Sequence, residues 1–455
     1  MSLMFCSIHF ANRFDRVVHM STALMKALQL TNTNNLKLRL GSKTTSVALR
    51  SMKKPGKHLF IPLPIKNELM VPRSGNVMVM ANELKEVRIG PLIGILTNAS
   101  TPSIVSPFGG RSGMLKQYIR PGSGKSFFFA FKPSDIDWQE ETVVGYFPTS
   151  AGWVRKTVPL PDSVYNRLGN RKMDRSLSMD QLKDRFVRRG IGIFNWSFFD
   201  KSDVYKLIEG DPDANIHIPE AYHNPSPDKI KEMLEKHRFV YLKPTDGSLG
   251  IGIYRLTYHP KRGFFARFRR EGKNVLFRFG TSGGLFRLIS AHSRMRNYVV
   301  QQGIRLIELD GCPIDFRFHL HKNGNNEWVV AGIGAKKAGK GSVTTHVKNG
   351  GMIMTPEHVL SRVFDDRAGE ILEDTKKVAI KLATSIERNS AHALGELGLD
   401  IGIDQNERIW MFEANSKPGR SIYKHPALKA QGYSSLQYLF EHLTYLGKFR
   451  ARRES

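Results

Sequence analysis

An acid set directly behind a run of core-type side chains is the feature that most narrows what this chain can fold into. Ile409-Trp410-Met411-Phe412 reads as a strand laid against a core, and Glu413 follows at once. A carboxylate there needs a partner, because burying an unpaired charge is costly. Segments 399–403 and 408–413 read as two strands joined by the polar turn 404–407, a hairpin. Asp400 then approaches the face that carries Glu413, and Asn415, two residues further on, shares that face. Two carboxylates and an amide oxygen are hard ligands of the kind Mg²⁺ takes, with Mn²⁺ an alternative; water and phosphate would fill the remaining positions. The plainer alternative is a polar hairpin turned to solvent.

A second signal lies upstream. Lys243-Pro-Thr-Asp-Gly247-Ser248-Leu-Gly250-Ile-Gly252 reads as a strand that delivers a lysine into a glycine-rich loop. Glycines let backbone N–H groups approach an anion, and Ser248 and Lys243 add a donor and a charge. The spacing is not that of a Walker loop, and no helix clearly follows, so a dinucleotide site is a poor reading. A glycine-rich hairpin without a ligand is the plainer alternative. Segment 261–296 then holds ten Lys/Arg, one acid and interleaved phenylalanines at 264, 265, 268, 277, 279 and 286. Such a stretch can bind single-stranded nucleic acid. It reads better as a small lobe with a phenylalanine core and arginines facing a cleft or solvent.

The formal net charge of +28 favours polyanions or acidic surfaces without choosing among them. No helix-turn-helix, zinc-finger or RNP-type motif accompanies it, so nucleic acid is an unlikely partner. Cys6 and Cys312 cannot make a disulfide framework. No run of about 18 apolar residues occurs, so no membrane insertion is expected and the chain reads as soluble and cytoplasmic. Residues 1–85 read as a basic β-rich module, with strands at 36–40 and 58–64. Residues 86–190 read as a small α/β layer, with a continuous strand in 88–98, a helix within 103–119 and strands near 126–131 and 142–146. Residues 366–398 read as one or two long helices.

The two signals, in this order, resemble the phosphate loop and metal-binding strand pair of ATP-grasp enzymes. Intermediate pieces resemble the family too. Phe194-Asn195 with Asp200-Lys201 is similar to the motif that opens the grasp domain, which implies a phosphate contact for Lys201. Val299 to Ile304 resembles the hinge strand that bonds adenine, with Gln302 accepting from the adenine amino group. Asp315-Phe-Arg317 resembles the strand whose arginine reaches the phosphates. With the 89–97 segment and the basic N-terminal part, the chain resembles the YheC/YheD family, endospore coat-associated ATP-grasp proteins. The resemblance implies an α+β ATP-grasp fold over 191–445, with a lid subdomain at about 240–300, and binding of Mg-ATP. It further implies a carboxylate–amine ligase working through an acylphosphate. Arg317 would steady the transferring phosphoryl group, and coat components would be partners. The carboxylate and amine stay unnamed, though an anionic substrate would suit the charge. His346 stands where glutamate-ligase relatives carry asparagine, which leaves the substrate class open. A non-catalytic ATP-binding coat or scaffold protein is the alternative from another class, and a basic nucleic-acid binder a further one.

Overall fold

A computed structural model describes residues 2–98, 101–199, 201–245, 252–292, 297–342, 345 and 350–450. Four sheets organise them. The first is a closed seven-stranded barrel, in which Ser2–Ala11 pairs with His58–Pro62 on one side and with Gly75–Ala81 on the other. Alternation decides which side chains fill it. Leu36, Leu38 and Leu40 point inward while Lys37 and Arg39 lie outside, and Leu38 stands opposite Val87. Closure leaves the barrel no free edge.

The run expected as one strand over 88–98 is split. Glu86–Gly90 belongs to the barrel, and Leu92–Leu96 starts the second sheet. That sheet runs Ile136–Asp137, Thr142–Thr149, Phe127–Phe131, Leu92–Leu96, Ser163–Asn166, Gly192–Phe194, with Gly152–Pro159 paired to Thr142–Thr149. Four of its strands are parallel, and all five residues of both Leu92–Leu96 and Phe127–Phe131 are buried. Such uninterrupted burial is what a sheet covered on both faces requires. One cover comes from far along the chain. Leu436, Leu439, Phe440 and Leu443 of the helix Lys429–Leu446 pack with Ile93, Ile95, Tyr118 and Tyr165.

The third sheet, which holds the segment expected as a lid, runs Ala221–His223, Tyr298–Gln302, Phe239–Pro244, Tyr254–His259, Gly263–Arg270, Lys273–Phe279. Helix Pro227–His237 backs it. Ser226 Oγ caps the Lys229 N–H at 3.1 Å, Pro227 fills the first turn, and Ile230, Met233 and Leu234 make the buried stripe. Of the expected phenylalanine core, Phe264 and Phe268 are buried and Phe277 is on the outside. The fourth sheet runs Met352–Met354, Trp328–Lys337, Cys312–Lys322, Glu396–Ile403, Ile409–Asn415. The helix expected over 366–398 is Ala368–Arg388. Residues from 396 onward are strand because Glu396, Leu397 and Gly398 pair with His321, Leu320 and His319. None of the helices is long and apolar enough to cross a membrane, among the described residues.

One buried carboxylate joins these parts. Asp174 accepts from Asn166 Nδ2 at 3.0 Å, the Phe198 N–H at 3.1 Å and Lys417 Nζ at 2.6 Å, and Lys183 Nζ lies 3.8 Å away. Lys183 donates further to the Asp174 and Trp196 carbonyls, each at 2.8 Å. Breaking a buried pair by removing one partner costs about 3–5 kcal/mol. Asp174→Asn should lose stability on that scale in urea unfolding. Asp374→Asn, whose carboxylate only meets Lys377 on an exposed helix face, should leave the midpoint unchanged.

Candidate functional site

Register across the fourth sheet collects the predicted acids. Arg317 stands opposite Asp400, and Asp400 opposite Glu413. Gly398 stands opposite Asn415, and Asp315 opposite Lys336. Alternation then puts Asp315, Arg317, Lys336, Asp400, Glu413 and Asn415 on one face, while Phe316, Phe318, Leu399 and Ile401 go to the core. A bulge makes this possible. Asp400 pairs with Glu413 but Ile401 pairs with Met411, so Phe412 is an extra residue. Without it, Met411 in the core would send Glu413 there too.

Asp400 is held by two cations. Arg317 Nε donates to Oδ1 at 2.7 Å and Nη2 to Oδ2 at 2.8 Å, and Lys336 Nζ donates to Oδ1 at 3.0 Å. Lys336 also pairs with Asp315 at 2.8 Å. Burial opposes the charged form, yet Arg317 and Lys336 outweigh it and hold the Asp400 carboxyl well below the usual carboxylate range. A carboxylate offers about four acceptor positions, and these bonds use all but one, on Oδ2. The Glu413 and Asn415 side chains have no hydrogen-bond or ion-pair partner among the described residues. Three carboxylates against two cations leave this face one negative charge in excess. The donor set therefore fits a divalent cation held by Glu413, Asn415 and the remaining Asp400 position.

The third sheet presents the opposite sign. Lys243, Tyr241, Arg255 and Arg267 share one face by register. Lys243 Nζ donates to Gln301 Oε1 at 2.5 Å, Gln301 Nε2 to the Tyr205 hydroxyl at 2.5 Å, and Tyr205 to the Phe412 carbonyl at 3.0 Å. Lys243 Nζ also lies 5.9 Å from the centre of the Phe412 ring. This chain of contacts brings the lysine signal to the strand that carries Glu413. Gln302 points the other way, its Oε1 accepting from the Glu220 N–H at 3.1 Å. Parity explains the swap: Lys243 pairs with Val299, so Gln301, not Gln302, shares its face. The Ile304 backbone N–H has no partner among the described residues. Gly252 lies in the left-handed region at φ +74°. Lys201 begins the helix Lys201–Glu209, which also carries Tyr205, but its side chain lies outside the described residues, as do Gly247, Ser248, Gly250 and His346. Tyr205, Gln301 and Phe412 went unread in the sequence; strand parity at 299–302 was the one available signal.

Behind Arg317 the same face continues into a buried network. His319 Nε2 lies 2.8 Å from Glu396 Oε1 and its Nδ1 2.9 Å from the Tyr423 hydroxyl, and Tyr165 donates to Glu396. Among the described residues neither ring nitrogen of His321 has a hydrogen-bond partner, although its Nε2 lies 3.5 Å from Glu396 Oε1. Burial holds both histidines below the ordinary imidazole value, His321 well below it.

Several known proteins are similar to this chain. A family model described as YheC/D like ATP-grasp matches residues 190–446. The endospore coat-associated protein YheD of Bacillus subtilis (strain 168) is 36% identical over 388 residues, 84% of this chain and 84% of its own length. YheC of the same organism is 25% identical over 329 residues, 69% of this chain and 88% of its own. Among solved structures, D-alanyl-alanine synthetase A from Vibrio cholerae aligns with a TM-score of 0.44 at 12% identity, over 79% of this chain and 98% of that one.

Depressed imidazole values carry a sign. Below a pH of about 6.5 the unfolded chain takes up protons that the buried His319 and His321 refuse, so stability falls as pH falls. The urea midpoint should drop between about pH 7 and pH 5, and His321→Leu should flatten that drop.

Proposed function

The chain belongs to the YheC/D-like ATP-grasp family, and from that premise we propose that it is a carboxylate–amine ligase driven by Mg-ATP. The observation that carries this is the Lys243–Gln301–Tyr205–Phe412 chain, which links the cationic face of the third sheet to the strand that carries Glu413. A triphosphate between the two faces meets Lys243 and the 247–252 loop on one side. Lys201, at the head of the Tyr205 helix, adds a further cation. Adenine lies towards Phe412, where the unpartnered Ile304 N–H can donate to a ring nitrogen. Glu413, Asn415 and Asp400 would hold the metal, which when bound would offset charge on the transferring phosphoryl group.

Arg317 spends Nε and Nη2 on Asp400, which leaves Nη1 to meet a phosphoryl oxygen. A substrate carboxylate oxygen attacks the γ-phosphorus, the bond to the ADP oxygen breaks, and an acylphosphate forms. An amine nitrogen then attacks the acyl carbon, loses its proton and expels inorganic phosphate, leaving an amide. No covalent bond to the protein is needed. The names of the B. subtilis relatives support a place among endospore coat components. A coat protein that binds ATP without turning it over remains the second reading. Glu413 and Asn415, both unpartnered on the acidic face, favour turnover.

Lys243→Ala should weaken Mg-ATP binding at least tenfold by calorimetry, about 1.4 kcal/mol or more. An affinity within about twofold of wild type would place Lys243 outside the site. Glu413→Gln keeps nearly the same shape, so its melting temperature should stay near wild type. ADP release should be lost, because an amide cannot replace the carboxylate on the metal. Undiminished release in that variant would remove Glu413 from the metal site.

A further inference from the structure

The carboxyl ends of the second sheet's parallel strands carry polar side chains that the nucleotide cleft leaves unused. The sheet has its topological switch there. Leu92–Leu96 continues through helix Ser112–Ile119 to Phe127–Phe131 on one side, while Ser163–Asn166 and Gly192–Phe194 lie on its other side. In open α/β sheets, ligands sit in the crevice beyond the strand ends at such a point. Asn98 follows the first of these strands, Arg167 follows Ser163–Asn166, and Arg111 stands just ahead of the helix. Arg111 donates to Asn98 Oδ1 at 2.8 Å and to the Arg167 carbonyl. Arg420, from the loop beyond Asn415, converges on the same place. The Arg167 and Arg420 Cζ atoms lie 5.5 and 5.7 Å from the centre of the Tyr118 ring.

Among the described residues, three buried polar atoms in this group have no partner at hydrogen-bond geometry: Arg167 Nη1, Arg420 Nη1 and Tyr118 Oη, with the Tyr165 hydroxyl the nearest neighbouring group to Tyr118 and Arg167 that could serve. Tyr118 is fully buried and Arg167 is 7% exposed. Buried donors left unpaired are rare and costly, and three around one ring call for an acceptor. The described residues do not supply it. Glu396 lies 3.7 Å from Arg167 Nη1, beyond hydrogen-bond reach, and already serves Tyr165 and His319. Three guanidinium groups against that single carboxylate leave two positive charges in excess. Arg111 and Arg420 are only partly buried, so the group opens to solvent. It also adjoins the phosphoryl-transfer face. Arg167 Nη2 donates to the Pro418 carbonyl at 3.3 Å. A Cβ at Gly398 would stand 2.6 Å from Pro418 Cβ and 3.1 Å from Arg317 Nη1.

We infer that Arg111, Arg167, Arg420 and Tyr118 form a subsite for a second anionic group, carboxylate or phosphate, on the substrate whose carboxylate is activated beside Arg317. The inference rests on the ligase reading of the cleft. The substrate is then an acid with two anionic groups: one reacts, and the other is anchored between the second and fourth sheets. Planar guanidinium forks suit either oxyanion.

Calorimetric titration of the full-length protein without nucleotide tests this, with glutarate, O-phosphoserine and butyrate as probes. Glutarate or O-phosphoserine should bind at least tenfold more tightly than butyrate, and the stronger of the two identifies the anchored group as carboxylate or phosphate. Arg420→Gln and Arg111→Gln should each weaken that binding at least tenfold, Arg420→Lys should recover part of it, and Lys243→Ala should leave it within twofold. Melting temperatures identify any variant that fails to fold, and the two arginine sites give independent tests. Three results would overturn the subsite: equal binding by wild type and both glutamine variants, an equal loss in Lys243→Ala, or no preference over butyrate. Mg-ATP titrated separately decides the nucleotide reading, so either can fail alone.

Discussion

Asp174 is the contact on which the relative placement of the parts depends. A single carboxylate, fully buried, takes an ammonium from Lys417, lies within ion-pair distance of Lys183, and accepts an amide N–H from Asn166 and a backbone N–H from Phe198. Each partner comes from a different element: the second sheet, the helix Leu177–Arg188, the segment before Lys201, and the loop after Asn415. Burial pushes the Lys417 ammonium down to about 7, and only the Asp174 charge holds against it. Lys183 has a nearer carboxylate in Asp180, at 3.1 Å, whereas among the described residues Lys417 depends on Asp174 alone. A shift of the loop beyond Asn415 would strand a buried charge, so the strand end that carries Glu413 and Asn415 is indexed to the second sheet. Asn195 adds neutral bonds at the same junction, to the Glu396 and Ser416 carbonyls and the Gly395 N–H.

The third and fourth sheets carry opposed charge. One face of the third carries Lys243, Arg255 and Arg267, and one face of the fourth carries Asp315, Asp400 and Glu413. Burial raises the Tyr241 hydroxyl, with further effects from Arg255, Asp315 and Arg267, which places that ring between the two fields. Lys336 bridges Asp315 and Asp400, so the acids are partly neutralised before any cation arrives. That spares the face the full repulsion of three neighbouring carboxylates.

The hairpin of the metal edge was legible because an acid behind an apolar run conflicts with burial, and the conflict has few resolutions. The bulge at Phe412 was not, since pairing two residues against one leaves no mark in hydrophobic alternation. Lys243 was legible from its glycine-rich sequel, whereas the choice between Gln301 and Gln302 depends on register, which needs the partner strand. The N-terminal strands were readable at 36–40 from strict alternation. Their closure into a barrel rests on Ser2–Ala11 meeting Gly75–Ala81, a pairing between distant segments. Asp174, Arg111 and Arg167 sit in segments without a motif, and only the convergence of loops gives them meaning. The same holds for Lys429–Leu446, whose apolar face looks ordinary until its distant partner sheet is known.

That last helix has a consequence for how the chain is made. Chains emerge N-terminal end first, and parts fold as they become available. The barrel closes with residues up to Gly90, so it can form while the rest is still being synthesised. The second sheet cannot finish. Helix Ser112–Ile119 covers part of the side that holds Ile93, Ile95 and Tyr165, and the rest stays open until Leu436, Leu439, Phe440 and Leu443 arrive, when Ser163 Oγ meets the Leu443 carbonyl at 2.8 Å and Arg88 reaches the Gly447 carbonyl at 2.8 Å. Through most of translation the nascent protein therefore exposes an aromatic sheet face, a target for chaperones that the mature molecule no longer offers.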